Sequence, residues 1–562
     1  MNEKQNSLAV GIAIRSLIAL VIIGVCYYVM LPPVNVFSKA FWGFALLALV
    51  IFVLCMSIKP ARLIRALSGE KSVASWKRAV ETGAHGRKFY ITVAVLAAIP
   101  LLVLGIGAIS SSTVFNAKRY ASVITVSERD FETDMPTTDL VTNIALMDTE
   151  SARILGNRKL GALSGVVSQY VASEKYTQIN YQGKPMKITN LEYDGFFKWL
   201  GNAEKGIPGY VMVDPVANSA EYYEMEQGMI YAESGYFSHD LMRKLRFSYP
   251  TKIFQNVSFE IDESGKVYYV VSCASPRVGL FGAMDIDEAI IFDPVTGEST
   301  LYALADVPAW VDIVFDGYLA CEKYDWQGTL SGGFINSIIG NKGCKRTTDD
   351  FGYIVLGDDV WYFTGVTSVT SDASNIGFIL SCARTGEYKF YSVIGAEEHS
   401  AMGAAEGEVQ EKEYVASFPS LVNIGGEPSY IMVLKDANGL VKLYALVNVR
   451  QYNIVATGET QAAAIENYMN LLVQNGLQTP PVADPDPVGE TRTVIIERVD
   501  FLTLSGTTYA YITDTLGNVY RIPFDAQNEA VIFADNGKQM TLVYVLNEAT
   551  GIREVISWEF IS

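Results

Sequence analysis

The chain is short of the residues that most catalytic centres are built from. It has three histidines in 562 residues, His85, His239 and His399, spread far apart. No H-E-x-x-H run and no Cys-x-x-Cys pair occurs. The zinc sites that those spacings make are therefore excluded, and no metal is expected. A G-x-S-x-G elbow, a P-loop and a dinucleotide G-x-G-x-x-G fingerprint are missing too, so no cofactor is expected. Basic residues are scarce after residue 119, where 30 Lys and Arg face 58 acids. Phosphate contacts need a basic surface, so nucleic acid is an unfit partner for that part. Charge is not abundant enough, nor apolar content low enough, for disorder: half the residues are hydrophobic and 19% are charged.

What the chain does have is three long uncharged runs before residue 110. Leu17 to Leu31 extends back past Arg15 to about Leu8, Phe41 to Met56 follows, and Phe89 to Ile109 is third, with Pro100 inside it. The third run has 21 residues without a charge, and about 20 apolar residues span a bilayer as a helix. A cleaved signal peptide fits the first run poorly, because no A-x-A site follows it. Residues 1–119 carry 13 Lys and Arg against three acids. Eight of those bases sit in the loop 57–88, so the positive-inside rule places that loop and the N-terminus in the cytoplasm. The chain after about residue 110 is then extracytoplasmic, anchored in the plasma membrane through lipid contact of three helices.

The expected fold class is α+β. Domains are expected at 1–110 (anchor), 111–235, 236–345 and 346–477 (three helix-plus-antiparallel-sheet modules), 478–489 (linker) and 490–562 (small all-β barrel). A helix near Glu150 to Val171 is capped by Asp148 or Thr149. Gln182-Gly183-Lys184 reads as a hairpin turn. Asp194 to Leu200 (DGFFKWL) reads as a short, buried, N-capped helix. A cadence of strand, turn and strand recurs: Asp214-Pro215-Val216, then Asp293-Pro294-Val295-Thr296-Gly297-Glu298, then Arg384-Thr385-Gly386-Glu387. Pro presets φ and Gly accepts positive φ in such turns. Thr457 to Gln474 is an amphipathic helix stopped by Gly476. TPPVADPDPVG, residues 479–489, is a semi-rigid extended linker. The last segment reads as six short strands parted by Gly and Asn turns, an OB-like or SH3-like barrel.

The strand followed by Asp293, Thr296, Gly297 and Glu298 resembles the closing pattern of the PepSY module, a small helix-plus-antiparallel-sheet unit. The likeness is partial, because Cys382-Ala383 replaces the Asp-led start in the third copy. It implies binding or restraint of a partner rather than catalysis. The runs DTESARILGNRKLG, GLFGAMDIDEAIIFDPVTGES and GFINSIIGNKG resemble uncharacterised membrane-anchored exported proteins of Gram-positive anaerobes. That resemblance implies a cell-envelope location and carries no activity.

Candidate chemistry is thin. Asp349, Asp350, Asp358 and Asp359 flank one strand, and two carboxylates brought together there would suit glycan hydrolysis. An acidic turn at each strand end is the preferred reading, which leaves Asp358 and Asp359 as weak catalytic candidates. Trp310, Trp326 and Trp361 are binding candidates if they line a groove, and core residues otherwise. Cys273, Cys321, Cys344 and Cys382 are disulfide candidates if the region is exported, or buried thiols. The expected function is a membrane-anchored extracytoplasmic binding or scaffold protein of the cell envelope, its partner an envelope protein or cell-wall polymer. The rivals are an envelope glycan hydrolase using acidic residues and an extracytoplasmic sensor.

Overall fold

The three apolar runs form helices α1 (Asn2–Met30), α2 (Lys39–Ser57) and α3 (Arg87–Ser110) in the computed structural model. Within them Gly11–Met30, Lys39–Ser57 and Ile91–Ser110 are long and apolar enough to cross a membrane. Arg15 donates to the Met56 carbonyl at 2.9 Å, so the one charge inside the span Gly11–Met30 satisfies the end of α2. The structure describes residues 2–57, 87–138, 144, 146–348, 350–369, 371–477, 490–504, 507–524, 528–546 and 552–561. The basic loop and the Pro-rich linker lie outside these. Two compact units result, Met1–Leu472 and Val473–Ser562.

In the first unit, the end of α1, the α1–α2 connection and the end of α3 all dock on the folded region. Arg243 donates to the Tyr28 carbonyl at 3.3 Å, and the buried Arg246 donates to that of Leu31 at 2.9 Å. Two guanidiniums thus cap the carbonyls that a helix C-terminus leaves unpaired, where its dipole favours cations. Val34 N–H bonds Pro250 O at 2.7 Å, and Asn35 Nδ2 bonds Thr251 O at 2.8 Å. Past α3, Ser112 caps a short stalk helix, α4 (Thr113–Ala121), and Tyr120 ties back to Ser111 O at 2.7 Å.

Beyond α4 the chain makes four antiparallel sheets in sequence. The first runs from Tyr170–Ala172 to Ser219–Met229, the second from Ile253–Ile261 to Ser299–Ala303. The third runs from Lys345–Thr347 to Tyr388–Tyr391, with Val126–Arg129 added in parallel to its outer edge. The fourth runs from Val415–Ala416 to Val455–Gly458. Each follows a helix: Thr149–Gly161, Leu241–Ser248, Gly317–Leu330 and Glu398–Glu408. The segment 346–477 therefore holds two sheets, where one module is expected from the sequence.

The sheets close into a ring in the manner of a four-bladed propeller. Sheets one and two face each other across one core, with Ile188 and Val211 against Phe259 and Tyr269. Sheets three and four face across another, with Phe363 and Phe378 against Tyr430 and Met432. Between two and three lies the segment 311–316, whose Val314 and Phe315 N–H groups both bond Ala383 O. Between four and one, Asp148 pairs with Lys435, and Asn218 bonds Tyr444 at 3.0 Å. Inner strands Thr177–Tyr181, Ile253–Ile261, Gly352–Leu356 and Ser420–Ile424 converge on the middle.

The cadence seen in the sequence occupies one equivalent place in each sheet, the turn between third and outer strands. Asp214 Oδ1 accepts from Val216 and Ala217 N–H, both at 2.8 Å. Asp293 Oδ1 accepts from Val295 and Thr296, at 2.8 and 3.1 Å. In sheet three the Cys382 sulfur takes the Asp position and accepts Thr385 N–H at 3.5 Å. In sheet four Asn448 does so from Gln451 at 2.8 Å. A side-chain acceptor that ties down the turn is what the four share.

The helix at DGFFKWL is Phe196–Asn202, but it is neither capped by a side chain nor buried. Only Trp199 is inside, while Phe197 and Leu200 face solvent. Gly195, at φ 93°, occupies the cap position, so Asp194 sits one residue too early to cap.

The second unit is a closed barrel of five strands, Glu490–Leu504, Thr507–Asp514, Val519–Pro523, Gln539–Leu546 and Arg553–Ile561. Strand three pairs in parallel with strand five, and strand four closes on strand one. The segment expected as a further strand, AVIFA, falls instead on the 3-10 helix Glu529–Phe533, and the strand order of the barrel is 1-2-3-5-4. Its core is Ile496, Ile512, Tyr520, Ile522, Met540 and Leu542.

Candidate functional site

Two adjoining cavities open where sheets one, three and four converge. One, of 310 Å³, is walled by Met135, Ile354, Leu356, Leu421 and Val422 and is largely apolar. The other, of 300 Å³, is walled by Asp148, Lys187, Tyr318, Asp350, Phe418 and Ser420. Gln178 and Tyr353 belong to both and form the partition. A strap holds the apolar cavity's rim: Thr138 N–H bonds Asn423 O at 2.7 Å, and Asn423 Nδ2 bonds Met135 O at 3.0 Å.

Lys187 is the distinctive group. It stands on strand Lys184–Tyr193, opposite Gln178, and is 2% exposed. Its ammonium lies 5.0 Å from the centre of the Tyr353 ring. Among the described residues it has no hydrogen-bond or ion-pair partner. Asp148, the acid whose charge acts on it, is already engaged by Lys435 and by the Ser151 N–H. Burial lifts the Asp148 carboxyl, but those hydrogen bonds outweigh it and hold it below the usual range. Burial brings Lys187 down to about 8, with Asp148 opposing. The contrast is Lys323, equally buried, which has Asp285 at 2.5 Å. A buried cation without a counter-ion, on a cavity wall with a π face beneath it, is built to receive an anion.

Sequence reasoning passed over Lys187. MKITNL alternates apolar and polar, which reads as a strand with one wet face. Both faces of this strand are covered, and Lys187 lands on the cleft wall while Thr189 bonds the Ser173 and Lys175 carbonyls. The signal available was a lysine in a strand flanked by other apolar strands, which is weak.

The residues singled out beforehand go elsewhere. Asp359 gives both oxygens to Arg384, at 2.7 and 3.1 Å. Asp358 is exposed on the two-residue turn with Gly357, at φ 63°. Asp350 is exposed at the cleft mouth and Asp349 lies outside the described residues. Trp310 packs on Tyr268 (5.0 Å), Trp326 on Tyr120 (5.2 Å), and Trp361 lies under Lys389 (4.8 Å). The three occupy separate clusters and line no common groove. Cys273, Cys321, Cys344 and Cys382 are all free thiols. Burial pushes Cys273 and Cys321 up to about 12, which suppresses the reactive thiolate.

A buried carboxyl pair adjoins the ring's centre. Glu260 accepts from Ser258 Oγ (2.6 Å), Asp312 N–H (2.7 Å) and Ile313 N–H (3.3 Å). Asp312 in turn accepts Asn180 N–H at 2.9 Å. The bonds from Asp312 and Ile313 N–H to Glu260, and from Asn180 N–H to Asp312, tie the 311–316 segment to sheets two and one, so the pair is structural. Burial raises Glu260 to about 7, and burial with Glu260 raises Asp312 to about 9. A carboxyl raised on folding holds its proton more firmly in the folded state. That stability is complete at acid pH and lost as pH rises through those values. The apparent Tm of the full chain in detergent should fall from about pH 4, where the unfolded carboxyls ionise, to about pH 9, each proton contributing up to about 1.4 kcal/mol per pH unit. Asp312→Asn should make the fall shallower. An unchanged slope would remove the pair as its source.

The molecule is thus an α+β protein with three helices able to cross a membrane, a ring of four sheets around a lysine-bearing cleft, and a closed five-stranded barrel. No family model matches the chain, and no curated protein does. Among solved structures it is similar to an α-L-arabinofuranosidase from Lactobacillus brevis, over 69% of this chain and 95% of that one, at 8% identity and a TM-score of 0.16. It is similar too to an exo-1,5-α-L-arabinanase from a bovine ruminal metagenomic library, over 54% and 98%, at 8% identity and a TM-score of 0.13. At such scores neither enzyme informs the fold or the chemistry of this chain.

Proposed function

We propose that this chain is a membrane-anchored, extracytoplasmic binding protein of the cell envelope, whose cleft takes the free carboxylate end of an envelope or cell-wall peptide. The observation that carries the reading is Lys187, buried and unpaired among the described residues, beside a 300 Å³ cavity. The adjoining apolar cavity gives a neighbouring side chain a place to go. An outer part with 58 acids against 30 bases repels polyanions, which favours a single carboxylate over a phosphate polymer. Sidedness rests on the eight bases of loop 57–88. No catalysis is expected, since Asp359 is committed to Arg384 and Asp358 stands alone on a turn.

The test compares N-acetyl-leucine with N-acetyl-leucinamide on the full chain in nanodiscs. The acid should bind at least about tenfold more tightly, the worth of one charge-assisted hydrogen bond. Lys187→Met should abolish the difference. Equal binding of acid and amide by the natural chain would sink the proposal.

A further inference from the structure

We propose that the folded region also lies on the outer leaflet directly, through an aromatic face that dips into the headgroup boundary beside α1. The inference rests on the membrane-spanning reading of α1 to α3.

The face is built from two pieces. Helix Phe196–Asn202 presents Phe197, 82% exposed, and Leu200, 57% exposed. The segment 236–248 presents Phe237, 57% exposed, and Phe247, 55% exposed. Ring contacts join the pieces: Phe196 touches Phe197 (5.5 Å), Tyr236 (5.1 Å) and Phe237 (6.4 Å). Soluble surfaces seldom gather large apolar side chains this way without a partner. Phe237 also holds φ 54°, a left-handed conformation that bulky residues rarely adopt.

The occupant follows from what the face adjoins. Phe247 packs on Tyr27 (6.2 Å) and Tyr28 (6.3 Å), in the last turn of α1. Arg243 joins both parts, donating to Tyr28 O and, at 2.6 Å, to Phe237 O. Its guanidinium lies 4.2 Å from the centre of the Tyr28 ring. Tyrosines that end a spanning helix sit at the membrane–water boundary, and arginine there meets headgroups. The exposed rings are continuous with that boundary, so the surface they meet is lipid. The pattern recurs beyond α3, where Phe115 of the stalk helix is exposed. Apolar rings rimmed by basic residues are what interfacial helices present to a bilayer.

The experiment uses the full chain in phosphatidylcholine–phosphatidylglycerol nanodiscs with a lipid carrying a photoactivatable diazirine near its headgroup. Labelled sites are read by mass spectrometry. Phe197, Leu200, Phe237 and Phe247 should label as strongly as Tyr28, and about tenfold more than Tyr318, as an interfacial face requires. Tyr318 is an exposed ring at the far end of helix Gly317–Leu330, whose Trp326 and Leu330 pack near the stalk. Labelling of Tyr28 without labelling of Phe197 and Phe237 would overturn the proposal and leave the spans intact. Absence of label at Tyr28 as well would overturn both. Cross-links between two copies through Phe197 would assign the face to a second chain and overturn it too.

Discussion

Replacing Lys187 with methionine is expected to make the protein more stable, in spite of removing a buried contact. Methionine keeps the length and apolar stem of the side chain, so little cavity is opened. What leaves is an ammonium drawn out of water with no anion paired to it among the described residues. The sign follows from linkage. Burial holds Lys187 at about 8, below the usual lysine range, so the folded state binds its proton less firmly than the unfolded chain. The penalty is complete below about pH 8 and relieved as pH climbs to about 10. Near neutrality it is on the order of 3 kcal/mol. A rise in apparent Tm of several degrees at pH 7, shrinking at pH 10, is the outcome expected of the full chain in detergent. Lys187→Glu tests the converse, since it would leave a carboxylate beside Asp148 and should destabilise. If Lys187→Met lowered Tm instead, the ammonium would have a partner of its own, and the cleft would lose its claim on an anion.

Local features of this architecture were legible. The spans declared themselves because a charge-free run of twenty residues has few other uses in a folded chain. Asp214 and Asp293 announced their turns, since the acceptor and the proline are neighbours in sequence, with Gly297 added in the second. The Asp148 cap and the Gln182-Gly183 hairpin were readable for the same reason. Closure of the sheets into a ring was not. Its inner strands come from residues 177, 253, 352 and 420 onward, and no local pattern says that these meet. The fourth copy of the cadence was missed because Asn448 replaces the aspartate and no Pro or Gly follows. Phe197 and Leu200 misled in the other direction. Large apolar residues suggest a core, and the sequence does not show that the core beneath them is already filled by Trp199.

Arg246→Leu is expected to loosen the join between the helices and the ring, with an effect of about 3 kcal/mol, because charge-assisted bonds to buried carbonyls would go unreplaced. Arg246 is 5% exposed and its guanidinium serves three carbonyls, Leu31 at 2.9 Å, Lys252 at 2.6 Å and Tyr249 at 3.4 Å. It also lies 4.2 Å from the centre of the Phe254 ring. Leucine fills part of the space but donates nothing, so the end of α1 and the edge of sheet two lose their shared donor. Hydrogen–deuterium exchange of the full chain in nanodiscs should then speed up at residues 241–254 by about a hundredfold, the factor that 3 kcal/mol implies for local opening. Barrel amides should not change. Arg153→Leu is the control, because Arg153 makes an exposed pair with Glu150 that is worth little. Were Arg246→Leu as silent as that control, the docking of α1 would rest on Arg243, Phe247, Val34 and Asn35. The arginine would then be a bystander to the attachment rather than its hinge pin. The geometry argues the other way, since Arg246 is the side chain that bonds both Leu31, just past the end of α1, and Lys252, just before the first strand of sheet two.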